Sequence, residues 1–241
     1  MNNNAPNHSK AVENFLKAIY ELEHSMDRVS TNALAETLGI KAPSVTDMAR
    51  RMVEAGLVHY RKYHGVVLTE PGRIVALQVV RRHRLIELYL VKELGYDLHE
   101  VHDEAENLEH AVSDRFIEAL AIKLGNPDLD PHGDPIPTAD GSIIDRELVS
   151  LADLPAECPA VVARLIVEDT GMLQYVLDRG FKLDTVLQVV DKEPFAGPLT
   201  IDIDGSHRVI GHNVAQMILV ETLPEISRQQ ETESDNATTR Q

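Results

Sequence analysis

The segment 101–110, VHDEAENLEH, concentrates four side chains able to ligate a metal ion: His102, Glu106, Glu109 and His110. Their i, i+4, i+7 and i+8 spacing predicts one stripe over roughly a third of a helix circumference. Val101, Ala105, Leu108, Val112 and Phe116 fall on the adjoining face, so this helix would bury an apolar side and carry its imidazoles and carboxylates along the edge. Charge beside buried apolar surface is costly unless compensated, and a divalent cation would compensate it. Upstream, RRHRLIEL holds a second i, i+4 pair, His83 and Glu87. Two facing antiparallel helices would then offer three His and three Glu to one or two ions. The alternative, a solvated His/Glu face, needs no ion; two facing pairs beside apolar stripes weigh against it.

Composition narrows the chemistry. Cys158 is the only cysteine of the 241 residues, which excludes an intrachain disulfide and any Cys-rich zinc or iron–sulfur site. Metal ligation must come from His and carboxylate. The 43% hydrophobic content supports real cores. No apolar run of about 18 residues is present to span a bilayer, and MNNNAPNHSK lacks the apolar core of a signal peptide. The expected location is the cytoplasm, with no membrane partner. A net charge of −16 argues against nucleic acid until its distribution is considered. Residues 1–75 carry nine Lys/Arg against eight Asp/Glu, so the acid lies in the later two-thirds.

The elements that position these groups follow from periodicity. Phe15, Leu16, Ile19, Tyr20 and Leu22 predict a helix over 11–24. Ser30-Thr31 caps a short helix, TNALAETLGI, stopped by Gly39, and a second helix runs from Ala42-Pro43 to Gly56. Short helix, tight break and second helix form the helix-turn-helix signature. LVHYRKYHGVVLTEPGR then predicts strand 57–60, turn 61–65 and strand 66–69, a wing. Lys41, Ala42, Pro43, Ser44, Thr46, Asp47, Arg50 and Arg51 supply the second helix's outer face, with Arg61, Lys62, Tyr63 and His64 at the wing tip. Small and hydroxyl residues at the helix start suit the major groove of double-stranded DNA, and the basic residues suit its phosphates. Winged helices also serve as protein-binding modules; the basic cluster on an acidic chain favours DNA.

A long helix is expected over 72–93, followed by the ligand-bearing helix to about Leu124. Ile86, Leu90, Leu94, Phe116, Leu120 and Leu124 provide more apolar surface than two helices can hide, so a homodimer is expected, as a palindromic operator requires. NPDLDPHGDPIPTADG, 126–141, has no periodicity and predicts a turn-rich connector at a domain boundary; His132 and its aspartates could alternatively form a metal patch. Short β-branched runs after it, VVARLIVED, LDTVLQVVDKE, GPLTIDIDG, SHRVIGH and AQMILVE, predict a small β-barrel, with MLQYVLDRG as a brief helix. The polar tail 224–241 is expected to be disordered.

With these parts in place the chain resembles the metal-dependent repressors of the diphtheria-toxin-repressor type, in their three-domain form. The resemblance runs over nearly all of residues 10–222 and is carried by KAIYELE, RRHRLIE, VHDEAENLEHAVSD, HGDPIP and the barrel. It implies a mainly α fold with a C-terminal β domain: a winged helix-turn-helix over 1–75, a helical metal-binding and dimerisation domain over 76–145, and an SH3-like, FeoA-type barrel over 146–223. It places metal ligands at His83, Glu87, His102, Glu106, Glu109 and His110. Position 106 is the informative one, because iron-responsive members have cysteine there and manganese-responsive members glutamate. An all-O/N site suits Mn²⁺, with Fe²⁺ as the alternative. The resemblance also places a first-helix ligand at Asn14, which is methionine in the iron branch and aspartate in short manganese proteins; Lys17 stands where those proteins have a second glutamate. The barrel is expected to lend Glu168 or Asp169 to an ancillary site.

The expected function is a manganese-activated DNA-binding repressor of metal homeostasis, with manganese transport genes as targets. A His/Glu metal-dependent hydrolase is the rival from another class. No nucleophile, oxyanion-donor set or Gly-rich cradle accompanies the ligands, and an enzyme would leave the winged helix unexplained.

Overall fold

Apolar residues of the first helix, Phe15, Leu16 and Ile19, are buried with Leu34, Val45, Ala49, Val58, Val66 and Leu77 in one core that joins helix, helix-turn-helix and wing. The computed structural model of the chain describes residues 8–144, 146–167 and 169–223, and contacts divide it into two units between residues 145 and 146. The tail expected to be disordered lies outside the described residues.

In the first unit, α1 (Lys10–Glu23) is followed by α2 (Thr31–Thr37) and α3 (Ala42–Glu54). Ser30 Oγ accepts the Ala33 N–H at 3.0 Å and starts α2, and Pro43 sits in the first turn of α3, where its missing N–H is not needed. The wing is a two-stranded antiparallel hairpin, β1 (Val58–Arg61) and β2 (Gly65–Leu68), in register Val58↔Leu68. The turn is closed by Tyr63 at φ 68° and Gly65 at φ 85°. α4 (Glu70–Leu94) begins at a Thr69 cap and ends at left-handed Gly95, φ 73°. It crosses the start of the wing so closely that a Cβ on Gly72 would stand 1.9 Å from the Leu57 carbonyl oxygen. Glu23 ties α1 to both neighbours, accepting the Leu68 N–H at 2.9 Å and an Arg73 N–H at 2.6 Å.

The helix expected to run to Leu124 is two helices, α5 (Val101–Leu108) and α6 (Asp114–Lys123). Ser113 breaks it: its hydroxyl accepts the Phe116 N–H and caps α6, the local alternative that serine offers a backbone. A second core below the first contains Leu85, Ile86, Leu90, Val101, Ala105, Ile117, Leu120 and Ile136. Ile86, Leu90 and Leu120 are therefore covered by their own domain, and Leu94, Phe116 and Ile122 are among the apolar residues left exposed. The connector is not free chain. Arg81 donates to the Pro137 carbonyl at 2.9 Å, Arg84 to that of Pro135, and Ile136 is buried, fastening residues 129–137 to α4.

The second unit is a six-stranded antiparallel sheet in the order β3-β8-β4-β5-β6-β7, built from β3 (Val149–Ser150), β4 (Pro159–Leu165), β5 (Val186–Lys192), β6 (Leu199–Ile203), β7 (Ser206–Ile210) and β8 (Ile218–Thr222). α7 (Thr170–Asp178) and the short α8 (His212–Ala215) sit in its connections. Alternate residues such as Leu199, Ile201 and Ile203 point into its core. The chain is thus mainly α with a C-terminal β domain.

Candidate metal centre

Three elements of the first unit converge. α1 carries Glu13, Asn14 and Lys17 on one face, α4 carries His83 and Glu87, and α5 carries His102 and Glu106. Glu109 and His110 follow the last turn of α5, with Glu109 as its C-cap, so the four-residue stripe expected on one helix is shared between a helix and the turn that leaves it. His83, Glu87 and Glu109 are buried, whereas the His102 side chain is 66% exposed.

Two donor groups share His83. On its Nε2 side, Glu87 Oε1 lies at 2.9 Å and His102 Nδ1 at 3.2 Å, and the latter two are 3.5 Å apart. On its Nδ1 side, Glu109 Oε2 lies at 2.7 Å, and Glu106 completes a group whose donor atoms all fall within 4.8 Å of one another. A divalent ion holds N and O ligands at about 2.0–2.2 Å, so neighbouring donors on one ion stand about 3 Å apart. The first group has that spacing.

Two further donors are short of partners. Asn14 Oδ1 and His110 Nε2 are buried atoms with no hydrogen-bond partner among the described residues. Such atoms are costly unless something else satisfies them. His110 Nε2 lies 3.1 Å from Glu109 Oε1, while His110 Nδ1 is 2.6 Å from Glu13 Oε2. A carboxylate on one ring nitrogen, with the other directed at a cluster, is the arrangement that orients an imidazole for metal. The residues present therefore fit a divalent cation with oxygen and nitrogen donors.

Electrostatics bind the cluster together. Burial works against the charged form of His83, but hydrogen bonds to Glu109 and Glu87 outweigh it and push the imidazole up to about 9. Glu87 and Glu109 are held below the usual carboxylate range in spite of burial, Glu87 by His102 and His83, Glu109 by His83 and Lys17. Lys17, also buried, is raised although burial opposes its charge, because Glu109, Glu21 and Glu106 attract the ammonium.

His132 approaches from the connector, Nε2 4.0 Å from Glu87 Oε1. Its turn is organised by Asp130, which accepts the backbone N–H groups of His132 at 2.8 Å and Asp134 at 2.9 Å. Burial, then Asp134 and Glu87, pushes the Asp130 carboxyl up to about 7. Asp169 lies in the second unit, where its Oδ1 accepts the Met172 N–H at 2.7 Å and caps α7; Glu168 lies outside the described residues. The resemblance pointed to Asn14 and to the position of Lys17, and His132 was expected in a turn-rich connector or a separate metal patch, whereas Glu13 was not singled out; its i, i+4 spacing from Lys17 is the signal that could have found it.

The winged helix exposes Lys41, Pro43, Ser44, Asp47, Arg50 and Arg51 along α3, and Arg61, Lys62, Tyr63 and His64 at the wing tip. Ala42 and Thr46 are half-buried, and the Thr46 hydroxyl donates to the Ala42 carbonyl at 3.1 Å. Arg50 stands 3.6 Å from Asp47, and the Lys62 ammonium 4.8 Å from the Tyr63 ring centre.

A centre of this composition beneath a winged helix defines a metal-responsive DNA-binding protein. Residues 8–66 match the iron-dependent repressor N-terminal DNA-binding domain, 69–138 the metal-binding and dimerisation domain of the same repressors, and 149–222 the FeoA domain. The chain is 34% identical over 222 residues to the iron-dependent repressor IdeR of Mycobacterium tuberculosis, covering 87% of this chain and 96% of that one. It is similar to a manganese-dependent transcriptional repressor solved in complex with manganese, at 43% identity and TM-score 0.82 over 88% of this chain and 100% of the other. The manganese regulator SloR follows at 33% and 0.71, over 88% and 98%. The chain belongs to the iron-dependent repressor family, of the diphtheria-toxin-repressor type: metal-dependent transcriptional repressors that bind DNA and are not enzymes. No helix among the described residues is long and apolar enough to cross a membrane.

Proposed function

We propose that the chain is a manganese-activated repressor that binds operator DNA as a homodimer in the cytoplasm and controls manganese transport genes. The observation that carries the metal assignment is the donor set: His83, Glu87, His102, Glu106, Glu109, His110 and the Asn14 amide oxygen offer nitrogen and oxygen only, with a carboxylate at position 106. Such ligands suit Mn²⁺, whereas a thiolate would favour later and softer metals. The solved relative at 43% identity is itself named as a manganese-dependent repressor. Fe²⁺ is the second reading, favoured by the relative named for iron at 34% identity.

A bound divalent cation would supply positive charge that offsets the carboxylates of α4 and α5, while the Asn14 amide oxygen brings α1 to the same centre. The chain's residues turn that charge into a position. Asn14 lies on α1, whose Phe15 and Ile19 share a core with Leu34 of α2 and Val45 of α3, so fixing α1 against α4 and α5 fixes the reading head. By linkage, a metal that binds this arrangement better than others favours it, and DNA that does the same raises metal affinity. Leu94, Phe116 and Ile122 offer apolar surface for a second copy, and two copies present two α3 helices to a palindromic site.

Titrating DNA binding with Mn²⁺, Fe²⁺, Co²⁺ and Zn²⁺ in parallel tests the assignment. Activation by Mn²⁺ at the lowest free concentration is expected relative to the natural affinity order of these ions. Activation by Fe²⁺ alone transfers the function to iron, and activation by none removes metal control.

A further inference from the structure

Lys17 lies where a cation belongs. Its Nζ is 3.2 Å from His83 Nδ1, 3.4 Å from Glu106 Oε2, and 3.3 and 3.0 Å from Glu109 Oε1 and Oε2. Those three residues are one complete donor group of the centre. The other group is built on the opposite ring nitrogen, His83 Nε2, with Glu87 and His102. Next to the other oxygen of Glu109, His110 Nε2 lies 3.1 Å from Oε1, and like the Asn14 Oδ1 of α1 it is a buried atom without a hydrogen-bond partner among the described residues. The cluster thus has three cation positions in a row, joined by the two nitrogens of His83 and the two oxygens of Glu109.

We propose that the Lys17 ammonium is a tethered cation that permanently fills the middle position, so that divalent ions can enter only at the ends. Two like charges a few ångströms apart in a buried site repel strongly, and Lys17 is held on α1 by surroundings that leave its side chain 7% exposed. An ion at the middle position would need the Glu109 Oε2 and Glu106 Oε2 atoms that the ammonium holds, and the second oxygen of Glu106 is the one left to an end-bound ion. Lys17 therefore links α1 to the end of α5 whether or not metal is bound. It also separates end-bound ions, which then share no carboxylate. The inference rests on the metal-centre reading given above and deepens it.

Mn²⁺ is the probe, and the test compares wild type with Lys17→Gln and Lys17→Glu. Equilibrium dialysis should find one more Mn²⁺ per subunit in the variants than in wild type. Electron paramagnetic resonance should show isolated Mn²⁺ in wild type and spin-coupled Mn²⁺ in Lys17→Glu, where ions sharing Glu109 become neighbours. An unchanged count in folded variants, or coupled Mn²⁺ in wild type, would overturn the proposal. Should the variants not fold, anomalous diffraction from wild-type crystals grown in Mn²⁺ still decides. Lys17 kept against Glu109 with no ion between Glu106, Glu109 and His83 supports it; an ion there with Lys17 displaced defeats it. Failure of the metal-repressor reading looks different, as no Mn²⁺ in wild type together with DNA binding indifferent to metal.

Discussion

Glu13 Oε2 stands 2.6 Å from His110 Nδ1, joining the first helix to the residue just beyond α5 across 97 positions of sequence. Arg82 holds the other Glu13 oxygen at 3.2 Å, so the carboxylate is itself fixed. It keeps His110 Nε2 on the inner side, toward Glu109. Glu13→Ala is therefore expected to weaken Mn²⁺ binding by roughly 10–100-fold, the usual cost of losing an imidazole's orienting partner. Isothermal titration calorimetry measures it, and affinity within a factor of two of wild type would show that Glu13 does not position His110 for a metal.

Acidity acts on the metal-free protein and on metal binding with opposite sign. His83 is raised from 6.5 to about 9 in the folded state, so its contribution to stability is complete below about 6.5 and disappears as pH rises through about 9. Asp130, raised to about 7, adds a loss of the same sign at lower pH. In EDTA the melting temperature should fall by a few degrees between pH 7 and 9.5. Metal needs neutral His83, so the rise in melting temperature produced by Mn²⁺ should grow over the same interval. A melting temperature in EDTA that stays level or climbs across that interval contradicts the charged, carboxylate-paired His83.

Lys62 and Arg50 are exposed on the surfaces offered to DNA. If each meets a phosphate, Lys62→Ala and Arg50→Ala should each reduce the slope of log affinity against log salt by about one. The loss should be similar on operator and random duplexes for Lys62. Fluorescence anisotropy at several salt concentrations reads both quantities, and slopes indistinguishable from wild type would move the DNA contact elsewhere.

Gly72→Ala inverts an ordinary helix rule. Replacing glycine within a helix usually stabilises by about 1 kcal/mol, but here the new Cβ would meet the Leu57 carbonyl at 1.9 Å. The backbone of the wing must retreat from α4, with an expected loss of about 2–4 kcal/mol. Urea denaturation tests this, and a stability equal to wild type would mean the crossing can open without cost.

Sequence made the local relationships legible and missed those created by folding. His83 and Glu87 are readable because an i, i+4 pair stays together on any helix, and the winged helix is readable because Ser30, Pro43 and Gly39 punctuate it. The end of α5 was missed because the apolar rhythm continues through Val112 and Phe116, while the decisive event is one serine capping its own backbone. Lys17 meets His83 and Glu109 from 66 and 92 residues away, and no spacing rule encodes such convergence. Ile86 and Leu120 show a related blindness: periodicity identifies an apolar face without saying whether the chain's own core or a second copy covers it.

The most direct test of cation control uses duplex DNA selected from a random library by the protein in Mn²⁺, with affinity then measured in Mn²⁺ and in EDTA on the same preparation. Occupancy of the centre is expected to tighten binding by at least tenfold, and adding this DNA should raise Mn²⁺ affinity by the same factor. Equal affinity for the DNA in both conditions would contradict the account.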